Sequence, residues 1–289
     1  MDIEKETELI EILQTIFPNS KRNTLRKMLT QGRVTVDDKV VFKAKKIISI
    51  GSSVIVNDKE TAIKTNPPPK PKKKTPRIKI LFEDEHIIVL NKQAGLLSVA
   101  TDKLEPDTLH SRCIQYLKSN NEKEWAYIVH RLDRETSGVM ILSKKENHKK
   151  YLQEQFANRE VHRIYHTLVE GKPPKTSGTI QEWLVEDKFL RVKSTSKRTP
   201  NAKEAITHWN LVDSDDIASL IQLTIETGRR HQIRVGLANL GNPVIGDEQH
   251  GAKGNPIGRI ALHATSLELL HPETDDPIRF EAPIPFGPE

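Results

Sequence analysis

The chain has 289 residues, of which 36% are hydrophobic and 29% are charged. This length predicts one large domain with a smaller one. The acidic start of the chain lacks the basic and apolar parts of a signal peptide, and no apolar run is long enough to span a membrane. A single cysteine, Cys113, excludes an intramolecular disulfide. We therefore expect a soluble, cytoplasmic protein.

The net charge of +6 is distributed unevenly along the chain. Residues 20–80 contain 17 Lys and Arg against 4 Asp and Glu, a balance of +13, whereas the remainder has 28 against 35, or −7. Such a basic segment attracts a polyanion, because neutralising phosphates releases counterions. A lysine-rich surface that only keeps the protein soluble would give the same count. Charge alone leaves both interpretations open.

The N-terminal region predicts a small module of helices and strands. Apolar residues recur at helical spacing from Leu9 to Phe17, and a second helix runs to about Gln31 with Gly32 as its cap. Four short strands follow, at 34–36, 40–42, 47–50 and 54–56.

This pattern resembles an S4 RNA-binding module over roughly residues 20–57. The family usually has Asn-Gly at the hairpin turn where this chain has Asp37–Asp38, which bears on the turn type more than on the fold. The resemblance implies RNA contacts through basic residues on and beside the second helix. The candidates are Lys21, Arg22, Arg26, Lys27 and Arg33.

A segment rich in proline and lysine separates this module from the rest of the chain. Residues 66–77 hold five prolines, four lysines and one arginine without an apolar residue, which predicts an extended, semi-rigid linker. It could contact RNA or serve only as a spacer. We predict a module at 1–60, a linker at 61–77 and a large domain at 78–289.

The large domain is predicted to contain more strands than helices. The expected helices are 108–117, 146–158 and one that includes Ile233, Leu237 and Leu240. The expected strands are 80–82, 87–90, 127–129, 139–142, 163–169, 178–185, 189–193, 205–212, 217–226, 259–269 and 278–280. Because strands and helices do not alternate regularly, we predict an α+β fold on a large mixed, mainly antiparallel sheet.

A dense group of charged residues connects the strands predicted at 127–129 and 139–142. Arg131, Asp133 and Arg134 lie in this connection. Buried flanks hold such a loop still and leave it accessible, which is a common geometry for a functional site. Aspartate also forms turns by bonding its own backbone, so Asp133 alone would be assigned to the turn. The surrounding charge favours a functional role.

A second charged group, residues 226–234, ends a long apolar strand and begins a helix. Gly228 permits a sharp turn, and the exposed amides of a helix N-terminus favour anions. Arg229, Arg230 and Arg234 would strengthen that preference. Arginines on a helix are more often a solvated face, so this segment by itself favours the simpler interpretation.

Two other kinds of site are disfavoured by spacing. His162 and His166 are four residues apart, which suits a metal site on a helix, but on the predicted strand this separation is roughly 13 Å. No glycine-rich loop with Lys-Ser or Lys-Thr is present, which excludes nucleotide hydrolysis of that type. We expect no metal site and no nucleotide cofactor.

Three motifs in the large domain resemble the RluA family of pseudouridine synthases. They are His-Arg-Leu-Asp-Arg-Glu-Thr-Ser-Gly at 130–138, Arg-Ile-Tyr at 163–165 and Thr-Gly-Arg-Arg-His-Gln-Ile-Arg at 227–234. Shorter matches at 241–247 and 262–264 support them, and the order is that of the family. Three positions depart from its usual pattern and bear on substrate fit: Gln93, Gly236 and His250.

The resemblance implies isomerisation of uridine to pseudouridine in RNA, with Asp133 as the nucleophile. It also implies that Arg131 helps to displace and replace the flipped base, that Tyr165 stacks on the target uracil, and that Arg234 pairs with Asp133. The neighbouring residues at 136–138 are expected to hold the shape of the turn.

A carboxylate suits this chemistry, because it can add to a nucleoside and later leave. The isomerisation consumes no water and transfers no electrons, so no cofactor is expected. We predict a monomer that acts on structured RNA, with ribosomal RNA favoured over transfer RNA by the S4-like module. Two alternatives stay open: a non-catalytic RNA-binding or ribosome-assembly factor, and nucleoside hydrolysis, for which Glu135 is the nearest second carboxylate.

Overall fold

The structure, a computed structural model, describes residues 5–58 and 77–286. The chain divides into two compact units, Met1–Lys74 and Thr75–Glu289. The linker predicted at 61–77 lies outside the described residues except for Arg77. Neither described range contains a helix that is long and apolar enough to cross a membrane.

The N-terminal unit combines two amphipathic helices with short strands, as predicted. Its elements are β1 (Thr7–Glu8), α1 (Leu9–Ile16), α2 (Arg22–Thr30), β2 (Val34–Val36), β3 (Lys39–Val40), β4 (Ile47–Ile48) and β5 (Val54–Val56). The sheet order is β3-β2-β5, and β1 pairs with β4. The two helices and the strands share one apolar core, which includes Leu9, Leu25 and Val34.

The turn between β2 and β3 has Asp37–Asp38 in place of Asn-Gly and still adopts the geometry of a tight hairpin. Asp37 has φ 47° and Asp38 has φ 61°, so both central residues are left-handed. A type I′ turn needs this geometry at both positions, and aspartate tolerates it better than most residues. Asp37 Oδ1 also accepts a hydrogen bond from the backbone N–H of Ser53 at 2.9 Å. The departure from Asn-Gly therefore leaves the hairpin intact.

The large unit is built on one mixed, mainly antiparallel sheet, which confirms the predicted fold class. Its elements are β6 (Ile80–Glu83), β7 (Ile87–Lys92), α3 (Leu109–Asn120), β8 (Tyr127–Ile128), β9 (Ser137–Ser143), α4 (Glu146–Ala157), β10 (His162–Glu170), β11 (Ser177–Glu186), β12 (Val192–Thr195), β13 (Lys203–Ser214), β14 (Ala218–Ile225), α5 (Gln232–Asn239), a 3-10 turn (Glu248–His250), β15 (Leu262–Leu270) and β16 (Pro277–Glu281).

The sheet runs in the order β12-β11-β13-β14-β10-β15-β9-β7-β6, with β16 beside β15 and β8 beside β9. Its centre is buried on both faces. Met140 and Leu142 of β9 pack in the core cluster that includes α3, and Val139 and Ile141 pack in the cluster that includes Leu152 of α4. This two-sided burial holds β9 rigidly.

The pairing of β9 with β15 is parallel, whereas the other strand pairs of the large unit are antiparallel. Gly138 makes this join possible. A Cβ added there would lie 2.1 Å from the carbonyl oxygen of Ala264, and its φ is +117°. The sequence assigned Gly138 to the turn, and the structure adds that it allows two backbones to approach closely.

Two predicted strands begin later than expected. The segment 189–191 forms an exposed turn instead of the start of β12, because the Asp187 carboxylate accepts hydrogen bonds from the backbone N–H groups of Phe189 and Arg191. That local capping outweighs the apolar character of Phe189, which is 65% exposed. Likewise, β15 begins at Leu262 instead of Arg259.

Candidate active site

A cavity of about 360 Å³ collects the predicted site residues of the large unit. Arg131, Asp133, Tyr165 and Arg234 all line it. They come from three segments that are far apart in sequence: the loop before β9, the strand β10, and the turn from β14 into α5. Because β9 and β10 both flank β15, the sheet brings the first two segments together. A cavity of this volume can hold a small molecule or a group of similar size.

The backbone on both sides of Asp133 is fixed by buried side chains. Ser98 accepts a hydrogen bond from the N–H of Leu132 at 3.1 Å and donates one to its carbonyl at 2.7 Å. On the other side, Lys92 Nζ donates to the carbonyl of Arg134 at 2.9 Å. Asp133 therefore extends from a loop held at the residues before and after it.

Lys92 is fully buried at the end of β7, and it also donates to the carbonyls of Leu96 at 2.7 Å and Gln93 at 3.1 Å. Burial lowers the pKa of this amine to about 7, while the nearby charges of Glu135 and Asp133 raise it. Three carbonyl acceptors match the three donors of an ammonium group. Lys92 thus binds the loop that contains Asp133 to the turn that follows β7.

Tyr165 presents a buried ring to the cavity from β10, where its neighbours are Leu223 of β14 and Ala264 of β15. Burial raises the pKa of its hydroxyl, Arg163 opposes that rise and Asp133 adds to it. The phenol therefore stays neutral at physiological pH. A neutral aromatic face in a cavity is suited to stacking against a planar ring.

The expected pairing of Arg234 with Asp133 was wrong. Arg234 Nε and Nη2 donate to the two oxygens of Asp247 at 2.6 and 2.7 Å, and both side chains are buried. Among the residues that the structure describes, no lysine or arginine forms an ion pair with Asp133. A fully buried carboxylate competes better for a fork of two donors than a half-buried one does, because it has no water to solvate it.

The turn into α5 is organised by one buried side chain, Gln232. Its Oε1 accepts hydrogen bonds from the Thr227 hydroxyl at 2.7 Å and the Arg229 N–H at 3.0 Å, and its Nε2 donates to the Ile206 carbonyl at 2.9 Å. The left-handed residue of this turn is His231, with φ 53°. Gly228, predicted to permit the sharp turn at the exit of β14, is not among the glycines with a positive φ.

The arginines of this turn differ in their surroundings. Arg229 is exposed, lines the cavity and donates through Nε to the Glu204 carbonyl at 2.9 Å. Arg230 forms an exposed ion pair with Glu186 at 2.6 Å. Arg131 and Arg229 are both exposed and both line the cavity, so they place positive charge on its exposed side.

Arg163 is a cavity residue that the sequence analysis quoted in a motif without assigning it a role. It is 8% exposed, and its Nη2 donates to the carbonyls of Ile225 at 3.3 Å and Glu226 at 3.0 Å. Its Nε has no hydrogen-bond partner. A signal was available in the sequence, because Arg163 and Tyr165 have the same parity on an alternating strand and must share a face.

The histidines of the large unit have different surroundings, and His130 lines the cavity. His130 stacks on Phe156 with ring centroids 4.6 Å apart, and burial together with Arg163 lowers its pKa to about 3. His162 and His166 lie on β10, as predicted. A separate cluster brings His148 Nε2 within 3.1 Å of Glu273, beside His86, whereas the buried His148 Nδ1 has no hydrogen-bond partner among the described residues.

The basic residues predicted in the N-terminal unit lie on α2 and beside it. Four of them are exposed, and none of the five forms an ion pair with a described residue; they are Lys21, Arg22, Arg26, Lys27 and Arg33. Arg33 is partly buried and donates through Nε to the Asn57 carbonyl at 2.8 Å. Its side chain thus also closes the end of β5.

Comparisons with known proteins give a consistent result. Residues 86–239 match the family model described as RNA pseudouridylate synthase. An uncharacterised RNA pseudouridine synthase of Bacillus subtilis is 36% identical over 71% of this chain and 68% of its own length. Ribosomal large subunit pseudouridine synthase D of Escherichia coli O6:H1 is 31% identical over 96% of this chain and 87% of its own. The solved structure of human RNA pseudouridylate synthase domain containing 4 superposes with a TM-score of 0.60 at 24% identity, covering 72% of this chain and 88% of that one.

Proposed function

The chain belongs to the RNA pseudouridine synthases, isomerases that act on RNA, and we propose that it isomerises specific uridines in structured RNA with Asp133 as the nucleophile. The observation that carries this proposal is the half-buried Asp133 in a cavity with the buried ring of Tyr165. The backbone anchors at Leu132 and Arg134 hold the carboxylate in position, which is what a nucleophile needs for effective attack.

The set of carboxylates favours isomerisation over hydrolysis. Asp133 is the one carboxylate among the described residues that line the cavity. A hydrolytic glycosidase uses two, one as acid and one as base or nucleophile. Glu135, the nearest candidate, does not line the cavity and lies 3.9 Å from the guanidinium of Arg134. Isomerisation consumes no water and transfers no electrons, so the proposed reaction needs neither a metal nor a redox cofactor.

The cavity fits a uridine that has left its stack. A base within structured RNA cannot present its ring to a carboxylate, and flipping it out costs a few kcal/mol. We propose that Tyr165 receives the uracil face and that Arg131, exposed at the opening, occupies the space it leaves and binds the backbone. Arg234 supports this wall of the cavity through Asp247 and so acts on the substrate pocket by its shape.

Ribosomal RNA is the substrate we favour. The relative named ribosomal large subunit pseudouridine synthase D matches 96% of this chain, a share that must include much of the N-terminal unit. We propose that this unit is an S4-like RNA-binding module, that it contacts RNA through the five basic residues on and beside α2, and that the protein works as a cytoplasmic monomer. Helical residues 22 and 26 share a face, and phosphate contacts from such a face add affinity without sequence choice.

The catalytic assignment is tested by mapping pseudouridine in RNA from a strain that lacks the gene, after incubation with the purified full chain. Carbodiimide treatment and primer extension locate the modified positions. We expect Asp133→Asn to lower the rate roughly 10³-fold or more, because it removes the nucleophile and keeps the shape. The matched control is Glu135→Gln, which should keep most of the activity.

The two alternatives give different outcomes in the same experiment. Unchanged modification by Asp133→Asn would refute the catalytic assignment. Free uracil in the chromatogram would indicate hydrolysis, and RNA binding without modification by the wild type would indicate a non-catalytic factor.

The module is tested by the salt dependence of RNA affinity. Replacing Arg22, Arg26 and Lys27 with alanine should reduce the slope of log affinity against log salt by roughly 2 to 3, since each lost phosphate contact removes about 0.7 to 0.9. The matched control replaces exposed Lys172 and Lys175 of the large unit. An unchanged slope in the triple variant would reject the role of α2.

A further inference from the structure

Arg163 carries unused hydrogen-bonding capacity into the cavity. A guanidinium has five N–H donors, and those of Arg163 Nη2 point to the carbonyls of Ile225 and Glu226. Nε is buried without a partner, and Nη1 makes no hydrogen bond with any described residue. Nη1 lies beside Gly228, another cavity residue, where an added Cβ would approach it to 3.0 Å. Three donors therefore lack an acceptor in the described parts of the chain, and the two on Nη1, which is not fully buried, are open to a ligand.

The charge of Arg163 is also unpaired. Among the described residues no carboxylate forms an ion pair with it, and its guanidinium carbon lies over the ring of Phe156, 5.5 Å from the centroid. Burying a cation without a counter-charge is costly, and natural proteins rarely keep one unless it is used. Burial lowers the pKa of Arg163, but a guanidinium stays protonated at physiological pH. The cavity thus contains a fixed cation that lacks an anion.

The position of this cation matches the base rather than the RNA backbone. Arg163 and Tyr165 are two residues apart on β10 and share a face, which places their Cα atoms roughly 7 Å apart. Both are buried, whereas the cavity arginines Arg131 and Arg229 are exposed. A phosphate is tied to the RNA chain and meets the exposed pair first. A uracil stacked on Tyr165 would have its polar edge within reach of Arg163.

The proposed isomerisation generates an anion at this place. In the proposed reaction a carboxylate oxygen of Asp133 bonds to C1′ as the N1–C1′ bond breaks. The electron pair of the broken bond leaves with the uracil, and the negative charge spreads over N1 and the two ring oxygens. C5 of the ring then bonds to C1′ and displaces the Asp133 carboxylate with its electron pair, the C5 proton is lost and N1 takes up a proton, so that the formula is unchanged. Between those events the uracil is a detached anion in a partly dry cavity.

We propose that Arg163 binds the polar edge of the flipped uracil and stabilises the negative charge of the ring while it is detached. This inference rests on the proposed function. Preorganised donors aimed at developing charge are among the largest contributions to catalysis, because they need no rearrangement at the moment of reaction. Arg163 fits this role because its guanidinium is fixed by two carbonyls and keeps its other donors free.

The test compares leaving groups. The full-length wild type, Arg163→Met and Arg163→Lys are assayed in single turnover on the RNA that the wild type modifies, transcribed with either uridine or 5-fluorouridine. On both RNAs the rate is read as disappearance of the original N1-linked nucleoside, because fluorine at C5 leaves no proton to lose and prevents the final step of the isomerisation. Fluorine withdraws electrons and makes the detached ring a more stable anion. We expect Arg163→Met to lose roughly 10² to 10³-fold with uridine, by analogy with removal of an oxyanion donor, and markedly less with 5-fluorouridine. Arg163→Lys should fall in between.

A chemical rescue gives a second readout. Arg163→Ala should recover activity with added guanidinium chloride in a saturable manner, and sodium chloride of equal ionic strength should have no such effect. Arg279→Met, which removes an exposed arginine that pairs with Glu281, is the matched control and should behave as the wild type. Thermal unfolding of each variant separates loss of folding from loss of rate.

The possible failures are distinct. If the variants lose rate equally on both RNAs, and in proportion to their fall in melting temperature, Arg163 only supports the end of β14. That result would overturn the inference. A higher half-saturating RNA concentration for Arg163→Met, with an unchanged maximal rate, would indicate that Arg163 contacts a phosphate. That result would also overturn the inference. Absence of pseudouridine with the wild type would instead overturn the proposed function itself.

Discussion

Two buried arginines line the same cavity and are held in opposite ways. Arg234 spends its donors on the carboxylate of Asp247, at 2.6 and 2.7 Å, whereas Arg163 has only the carbonyls of Ile225 and Glu226 and keeps three donors unused. An arginine whose charge is neutralised by a carboxylate supports the structure. An arginine without a counter-charge keeps a positive electrostatic potential that can attract a ligand. The comparison separates a residue that shapes the cavity from one that is available to a substrate.

The largest effect should come from breaking the ion pair between Arg234 and Asp247. Asp247→Asn leaves the buried guanidinium of Arg234 without a counter-charge, and removal of one partner of a buried pair costs about 3 to 5 kcal/mol. For a unit of this size each kcal/mol lowers the melting temperature by about 2 to 4 °C. We therefore expect a fall of roughly 10 °C in calorimetry. The double replacement Arg234→Met with Asp247→Leu should recover much of it, and failure to do so would show that the pair is not the source.

Lys92 extends the comparison to a cation that is held by carbonyls but can lose its proton. Its pKa is about 7 in the folded state and near 10.5 when unfolded. Between these values only the unfolded chain binds the proton, so the stability of the folded state rises with pH there and is constant below about 7. Relative to Lys92→Met, the wild type should gain roughly 2 kcal/mol between pH 7 and 9.

This gain is measured by urea denaturation of both proteins at each pH, since the variant carries every other titrating group. A difference that is independent of pH would show that the three carbonyls keep Lys92 charged throughout.

Arg163→Met should change stability less than the changes at Asp247 or Lys92. It removes two hydrogen bonds from a charged donor but also removes a buried, unpaired charge, and the two effects oppose each other. We expect the free energy of unfolding to change by less than about 1.5 kcal/mol in urea denaturation. A loss of stability as large as that of Asp247→Asn would show that Arg163, like Arg234, mainly supports the structure.

The smallest effect on stability is expected from Gly228→Ala, which tests how precisely the guanidinium of Arg163 must be placed. Gly228→Ala adds a Cβ 3.0 Å from Arg163 Nη1, so the guanidinium must shift by a few tenths of an ångström. We expect a rate loss of about 10-fold with stability changed by less than about 1 kcal/mol, because misplacing a catalytic group slightly is costly to the rate. Gly254→Ala, whose Cβ would meet only Pro256 at 3.9 Å, is the control. Equal rates in both variants would argue against a precise position for Nη1.

The sequence predicted those parts of the fold that depend on local pattern. Alternating apolar residues predicted β10 and β14, and the charged stretch around Asp133 stood out because apolar strands enclose it. The turn at 189–191 was missed because an apolar residue was taken for a buried one, whereas the Asp187 carboxylate bonds the local backbone. Such local competition leaves little trace in a hydrophobic pattern.

The partners of charged residues were harder to predict than their positions. Arg234 lies 13 residues from Asp247 and Lys92 lies 42 residues from Arg134, and both contacts depend on how the chain folds back. Nothing in the spacing selects these partners over Asp133. The role of Arg163 could have been approached from its parity with Tyr165, but its unused donors become visible only when every acceptor around it is known.

The anchors of the Asp133 loop have a consequence for how such a protein can change over time. Ser98 bonds the backbone of Leu132, and Lys92 bonds the backbone of Arg134, so neither contact depends on the side chain it holds. Side chains at 131 and 134 can therefore be exchanged without moving the carboxylate between them. Under the proposed function, the surface that meets the RNA and the carboxylate that performs the chemistry can then vary independently, and a new target can be acquired without rebuilding the reaction.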